Sequence, residues 1–279
     1  MLIGGISVLS ALAAVALCLC SGSFEGLTWL LMLPVGFAGS FLLLAALFFL
    51  FVLVLCALVR QDQEQEEDSP LYRWTIGLIA GAIHTILQMR VHTKGLEKVP
   101  VQGRFLLVCN HLNDLDPVVL LHFFRSKQLA FISKRENSTM FVVGKMMHKI
   151  LCQLINREND REALKTIIKC VKLIQEDKVS IAVFPEGYTS LDHKFHEFRH
   201  GVFKIAQKAK VPIVVCTVTN THKVFSRALR LQPTDIDLHV VQVLQPEDFQ
   251  GLTTVELGQQ VHAMMAADLG AAYAPEQNT

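Results

Sequence analysis

Charge is what the first 59 residues lack. They hold no Lys or Arg and one acid, Glu25, while all 26 basic residues and the other 24 acids lie from Arg60 onward. A segment so poor in charge cannot cover a water-facing domain with polar side chains. Cysteine is also sparse in pattern: the seven are an odd number without CxxC spacing, and Cys18, Cys20 and Cys56 fall in apolar runs. That excludes a disulfide framework and a structural zinc site, and points to reduced thiols. No G-x-S-x-G occurs, so the nucleophile elbow of the α/β-hydrolases is excluded. With two Trp and three Tyr, and no basic stripe interleaved with aromatics, nucleic acid is not an expected partner. There are no internal repeats.

What the N-terminus does contain is length. Leu2 to Leu19 is apolar throughout, and Leu30 to Leu58 is apolar again with Pro34, Gly36 and Gly39 near its start. Each is long enough to span a bilayer. The absence of a basic segment before Leu2, and the early return of a second apolar run, argue against a cleaved signal peptide. Residues 1–60 are therefore expected to form a transmembrane hairpin with Ser21–Thr28 at its turn. Its two ends would lie on one side, and Arg60, Arg73, Arg90 and Lys94 place that side in the cytoplasm.

Residues 61–70 open with QDQEQEEDS and read as a solvated acidic linker. Residues 71–90 are apolar with Arg73, His84 and Gln88 interspersed. Two readings stand for them: an amphipathic helix on the membrane surface, or a buried helix of the soluble domain. Past residue 68 there are 25 basic against 19 acidic residues, a balance suited to anionic lipid or phosphorylated ligands.

Residues 91–279 alternate apolar runs with helical patterns. Strands are predicted at 105–109, 129–132, 152–156, 179–184, 211–218 and 238–244. Helices are predicted at 118–124, 139–151, 159–176, 201–209 and from the Thr253/Glu256 capping box to Gly270. The alternation predicts an α/β domain with a largely parallel sheet covered by helices on both faces.

Two loops at predicted strand ends carry chemistry, where open α/β sheets place their ligands. After 105–109 comes Asn110-His111-Leu112-Asn113-Asp114-Leu115-Asp116-Pro117. Pro117 favours a helix start and makes Asp116 a natural N-cap. Across this turn the Asp116 carboxylate can hold one nitrogen of His111 while the other faces a substrate. After 179–184 comes Pro185-Glu186-Gly187, where Glu186 and Gly187 permit close approach of carboxylate and backbone to a polar ligand.

Together these loops resemble the 1-acyl-sn-glycerol-3-phosphate acyltransferase family. Its Asn-His-x4-Asp block is complete at Asn110, His111 and Asp116. Its apolar block closed by Arg resembles Leu154-Ile155-Asn156-Arg157, with Leu151 where Gly is usual. Phe184-Pro185-Glu186-Gly187-Tyr188-Thr189-Ser190 matches the third block in four positions but has Thr189 in place of a phosphate-contacting Arg. Val211-Pro212-Ile213-Val214-Val215 matches the fourth without its last Pro. Lys134-Arg135-Glu136 and Phe198-Arg199-His200-Gly201 resemble two flanking motifs. The resemblance runs from about Gly95 to Val218.

It implies acyl transfer from acyl-CoA or acyl carrier protein to the hydroxyl of lysophosphatidic acid. Another lysophospholipid or lipid amine as acceptor, or a non-catalytic membrane scaffold, are the alternatives. His111 would be the base and Asp116 its partner, with direct attack of the alcohol on the thioester. Lys134 and Arg157 would hold the acceptor phosphate. Glu186 would order the phosphate-binding loop or bind the acceptor glycerol, and Gly187 beside it would contact substrate. No cofactor is called for beyond the acyl donor as substrate. His193, His196 and His200 with Asp192 and Glu197 have spacings open to a metal, but a basic loop near phosphate explains them as well, and no metal is expected.

Overall fold

The computed structural model describes residues 1–274 apart from 23, 25 and 191. Glu25, the lone acid of the apolar segment, lies outside the described residues. Two helices, α1 (Leu2–Cys20) and α2 (Trp29–Ala57), are long and apolar enough to cross a membrane. They run antiparallel. Gly36 packs on Ala14, and Ser40 Oγ reaches Ser10 O at 3.3 Å. Small residues at these positions let the two backbones approach closely.

The inner end of α2 is docked on the rest of the protein. Leu55 and Val59 pack with Tyr72 and Ile150, and Val52 and Cys56 with Met146. Tyr72 donates its hydroxyl to Leu55 O at 2.8 Å, and Lys145 Nζ donates to Val59 O at 2.8 Å. Helix α3 (Pro70–Ile86) has mixed surroundings: Tyr72, Thr75, Ala80 and His84 are buried while Leu71, Trp74 and Ile86 are exposed.

Segment 61–69 is mostly exposed, and three of its acids pair with cations of the following residues. Glu64 pairs with Lys169, Glu67 with Lys178, and Asp68 with Arg73. Its acids face a basic side of the domain, which composition alone does not reveal.

Seven strands form one sheet in the order β1-β7-β6-β2-β5-β3-β4. They are β1 (Met89–Lys94), β2 (Leu106–Val108), β3 (Leu129–Lys134), β4 (Gln153–Ile155), β5 (Ser180–Val183), β6 (Ile213–Val218) and β7 (Thr234–Leu244). All neighbours are parallel except β6 and β7. Strand β1 was not expected. Its sequence MRVHTK has no apolar run because it is an edge strand with mostly exposed residues.

The central strands are apolar at nearly every position, Ser180 and Thr217 excepted, because both faces are covered. Leu106, Val108, Ile181 and Val183 face α6 (Asp160–Gln175), α7 (Lys204–Ala209) and α9 (Thr254–Leu269). Phe105, Leu107, Cys109 and Ala182 face α4 (Asp116–Phe123) and α8 (Val224–Ala228). Helix α5 (Phe141–Lys149) packs towards α2. The predicted caps hold at Asn159, which accepts from Arg161 N and Glu162 N, and at the Thr253/Glu256 box.

Strands β2 and β5 are neighbours, and the chain leaves them for helices on opposite faces. A crevice opens at such a divergence, beyond the carboxyl ends of the strands. Both chemistry-bearing loops border it.

Candidate active site

Asn110 anchors the first loop. Its Nδ2 donates to Val218 O at 2.9 Å and its Oδ1 accepts from Val218 N at 2.8 Å, tying the end of β2 to the end of β6. His111 follows, with Nδ1 2.9 Å from Asp116 Oδ2. The same carboxylate oxygen accepts from Leu112 N at 2.7 Å and Asn113 N at 2.8 Å.

Asp116 is thus not the N-cap expected from Pro117. It is the first residue of α4, which has no side-chain cap. Its carboxylate turns back to the loop instead, where a ring nitrogen and two N–H donors outcompete the helix end. Asp116 is fully buried, and its Oδ1 has no hydrogen-bond partner. Its contacts are thus all made through Oδ2, which His111 shares with the two backbone N–H groups.

The ring of His111 is fixed on its flat side too. It stacks on Phe184 at 4.2 Å between centroids and 16°, and Phe184 stacks in turn on Phe131 at 5.9 Å. Its Nε2 lies 3.0 Å from Thr189 Oγ1. With Nδ1–H given to the carboxylate, Nε2 is the acceptor and Thr189 the donor.

Glu186 joins the two loops. Its Oε1 accepts from His111 N at 2.9 Å and its Oε2 from His196 N at 3.2 Å. Burial of the carboxyl, 1% exposed, pushes its pKa up to about 7 despite these two donors. Gly187 turns the chain at φ +84°, and a Cβ there would lie 2.9 Å from Arg199 Cδ and Nε. Only glycine gives both that backbone and that contact.

Arg199 covers this turn and donates from Nη1 to Arg157 O at 3.3 Å. Arg157 is half-buried at the end of β4, and burial followed by the Arg199 charge lowers its pKa. Among the described residues neither guanidinium has a carboxylate within salt-bridge distance. Two such cations side by side attract an anion. Lys134 is exposed at the end of β3, its residue paired in register with Ile155 two positions before Arg157.

The structure therefore gathers His111, Asp116, Glu186 and Gly187 into one cluster. Arg157 and Lys134 lie further along the sheet, with Arg199 between. Arg199, Thr189 and Phe184 were given no role from the sequence. The Phe198-Arg199-His200-Gly201 motif was the available signal for the first.

The three histidines open to a metal do not converge. His193 stacks on His222 at 4.3 Å, His196 binds Asp192 at 2.9 Å, and His200 packs against Gly258.

Comparison with known proteins fits this geometry. Residues 90–219 match a family model described as Acyltransferase. A probable 1-acyl-sn-glycerol-3-phosphate acyltransferase of Mycoplasma genitalium is 29% identical over 62% of this chain and 66% of its own. The enzyme of that type from Chlamydomonas reinhardtii is 32% identical over 54% and 46%. The one from Salmonella typhimurium is 26% identical over 64% and 71%. The chain thus spans between about half and two thirds of the first two relatives. The crystal structure of the 1-acyl-sn-glycerophosphate (LPA) acyltransferase PlsC from Thermotoga maritima has a TM-score of 0.62 at 21% identity. That match covers 83% of this chain and 91% of the other, and shows a shared fold. Residues 90–219 thus match an acyltransferase domain, and the chain is similar to 1-acyl-sn-glycerol-3-phosphate acyltransferases in sequence and shares the fold of one of them.

Proposed function

We propose that this protein moves a fatty acyl group from acyl-CoA or an acyl carrier protein to the free hydroxyl of lysophosphatidic acid, giving phosphatidic acid. One observation carries the reading: a histidine held by a buried carboxylate, with its second nitrogen turned to a hydroxyl at 3.0 Å. His111 Nε2 accepts the proton of an attacking hydroxyl, and Asp116 keeps the tautomer and stabilises the imidazolium. The proton then passes to the departing thiolate. The donor is a substrate, and the reaction needs no bound cofactor.

The acceptor assignment rests on charge. Thr189 removes the cation usual at its position, which opens the door to another lysophospholipid or a lipid amine. Arg157 and Arg199, without carboxylate partners, restore a site for a phosphate monoester. Planar guanidinium groups bind such a group through two oxygens at once.

The partners are the lysophospholipid, the acyl donor and the bilayer around α1 and α2. The catalytic domain faces the cytoplasm in this reading, which the lack of Lys and Arg in the turn and the seven cysteines free of disulfides support. The test is one purified preparation assayed with labelled acyl-CoA and acyl carrier protein against a panel of acceptors. Incorporation into lysophosphatidic acid above all others is expected. A preference for an uncharged or amine acceptor would move the assignment, and no transfer to any would leave a scaffold.

A further inference from the structure

A second cleft opens on the other side of His111 from Arg157. Asn110 is bonded to Val218 at the end of β6, and Thr219 and Asn220, which follow, enter the wall of a cavity of about 890 Å³. Its floor is one row across three strands: Lys94 of β1 pairs in register with His239 of β7, and His239 with Thr217 of β6. A cavity of this volume takes a small-molecule ligand or cofactor. Proton transfer at His111 uses none of these residues.

Three lysines and three aspartates line the cavity, and their hydrogen bonds set them apart. The carboxylates already accept from side chains: Asp268 from His239 Nδ1 and Thr217 Oγ1, Asp192 from Ser190 Oγ and His196 Nε2, Asp237 from Thr219 Oγ1. The ammonium groups keep donors open. Lys194 Nζ donates to Ala272 O, Lys223 Nζ donates to Asn220 Oδ1, and Lys94 is exposed. Among the described residues none of the three has a carboxylate within salt-bridge distance. Each ammonium has three N–H donors, so most of them are left for an anion.

Flat rings complete the wall. His193 and His222 stack at 4.3 Å, and the Tyr273 hydroxyl accepts from Asn220 N at 3.1 Å. Burial first, then His193 and Lys223, push the His222 pKa down to about 4, so its ring is neutral. Its buried Nδ1 has no partner among the described residues. Ring faces of this kind stack on a purine base.

We infer that this cavity holds the 3′-phosphoadenosine end of coenzyme A, with the lysines on its phosphates and the rings on its base. The inference rests on the reading above that a thioester is transferred at His111. Strand β1 lies three strands from β2, about 14 Å at normal spacing. A pantetheine arm crosses that distance and brings the thioester to the base. Arg157, at the end of β4, lies equally far on the opposite side, so donor and acceptor reach His111 from opposite directions. An acyl carrier protein presents only the arm and its phosphate, and would leave the cavity without an occupant.

The experiment uses the full chain purified in detergent, with adenosine 3′,5′-bisphosphate as the probe. Titration calorimetry reads its binding with no acceptor present. Initial rates then compare palmitoyl-CoA with palmitoyl-N-acetylcysteamine, a thioester without a nucleotide. The probe should bind and should compete with palmitoyl-CoA. The double variant Lys94→Gln/Lys223→Gln should weaken the probe and raise the palmitoyl-CoA KM by about tenfold or more, the scale of lost charge-assisted bonds. The KM of the N-acetylcysteamine thioester and the thermal midpoint should stay where they are. Lys94→Arg/Lys223→Arg keeps the charges and should restore probe binding to within a few-fold.

A wild-type chain that fails to bind the probe overturns the assignment. So does binding that does not compete with palmitoyl-CoA, or a Gln variant that raises both thioester KM values alike. A protein that uses acyl carrier protein and refuses palmitoyl-CoA overturns it as well. Competitive binding with no transfer to any lysolipid keeps the cavity for the donor and removes the reading of the acceptor.

Discussion

At the scale of single residues, the site depends on where one carboxylate points. Asp116 Oδ2 gathers three donors, His111 Nδ1, Leu112 N and Asn113 N. His111→Ala is expected to lower turnover by about 10²–10⁴-fold, the contribution of a positioned base, with folding intact. Residual activity above about one per cent would move the base elsewhere. Asp116→Ala should lose activity and also stability, by about 1–3 kcal/mol, because two buried N–H groups are left without acceptors. Asp116→Asn can still accept from the backbone while spoiling the tautomer, so it separates the two roles. Assays paired with thermal midpoints read them apart. Had Asp116 been only a helix cap, both variants would turn over normally.

Glu186 sets a pH dependence of its own. Its pKa stands near 7 in the folded chain against a usual 4.5, because burial disfavours the charge. Between those values the native state binds more protons than the unfolded one, so its stability falls as pH rises from about 4.5 to 7. The loss for this one group is on the order of 3 kcal/mol. Glu186→Gln should flatten the stability curve over that window, at the cost of turning an amide N–H₂ towards one backbone donor. Denaturant unfolding at pH 5 and pH 7 tests it, and an unchanged slope would mean that Glu186 is already ionised at pH 5. His111 and Asp116 were legible as a pair because their short spacing fixes them, while Glu186 was legible only through its own strand-end motif. The contact between Glu186 and His196 was not, since it depends on how the loop after Gly187 folds back.

At the scale of elements, strand ends do the assembling. Strands β2, β5, β3 and β4 lie side by side, so about 14 Å separates the axes of β2 and β4 at normal strand spacing. Lys134 and Arg157 could be placed at strand ends from apolar runs, yet their distance from His111 follows from strand order, which the runs do not encode. Arg199 closes the gap by crossing Gly187 towards Arg157. Arg157→Lys keeps the charge and loses the planar fork, so the acceptor KM should rise by the worth of a charge-assisted contact, about 1–3 kcal/mol. The donor KM should move much less. Initial rates with both substrates varied, beside the thermal midpoint, decide it. A structural cation would instead lower stability and weaken both substrates alike. The edge strand β1 and the antiparallel β7 were the parts of the sheet least legible, because exposed faces dilute the apolar pattern on which strand reading relies.

At the scale of the whole molecule, the hairpin decides where this chemistry happens. Helix α2 has 29 residues, or about 43 Å at helical rise, more than the roughly 30 Å of a bilayer core. Its surplus lies at the inner end, where Leu55, Cys56 and Val59 seat the domain. Leu12, Leu43, Leu47 and Phe49 are exposed along the pair, and so large an apolar surface calls for lipid. Because α1 and α2 are antiparallel, the N-terminus and the domain share a side. Basic residues follow the second helix and none lie in the turn, so we propose that this side is the cytoplasm. The expected outcome is tested with two single cysteines in a Cys20→Ser background, Leu27→Cys in the turn and Leu229→Cys on the domain, which are 77% and 88% exposed. In intact cells a membrane-impermeant maleimide should label position 27 and spare position 229. After permeabilisation it should label both. The reverse pattern would invert the topology. Labelling of both positions in intact cells would mean that the hairpin does not span, and the lipid acceptor would then have to reach the site from water.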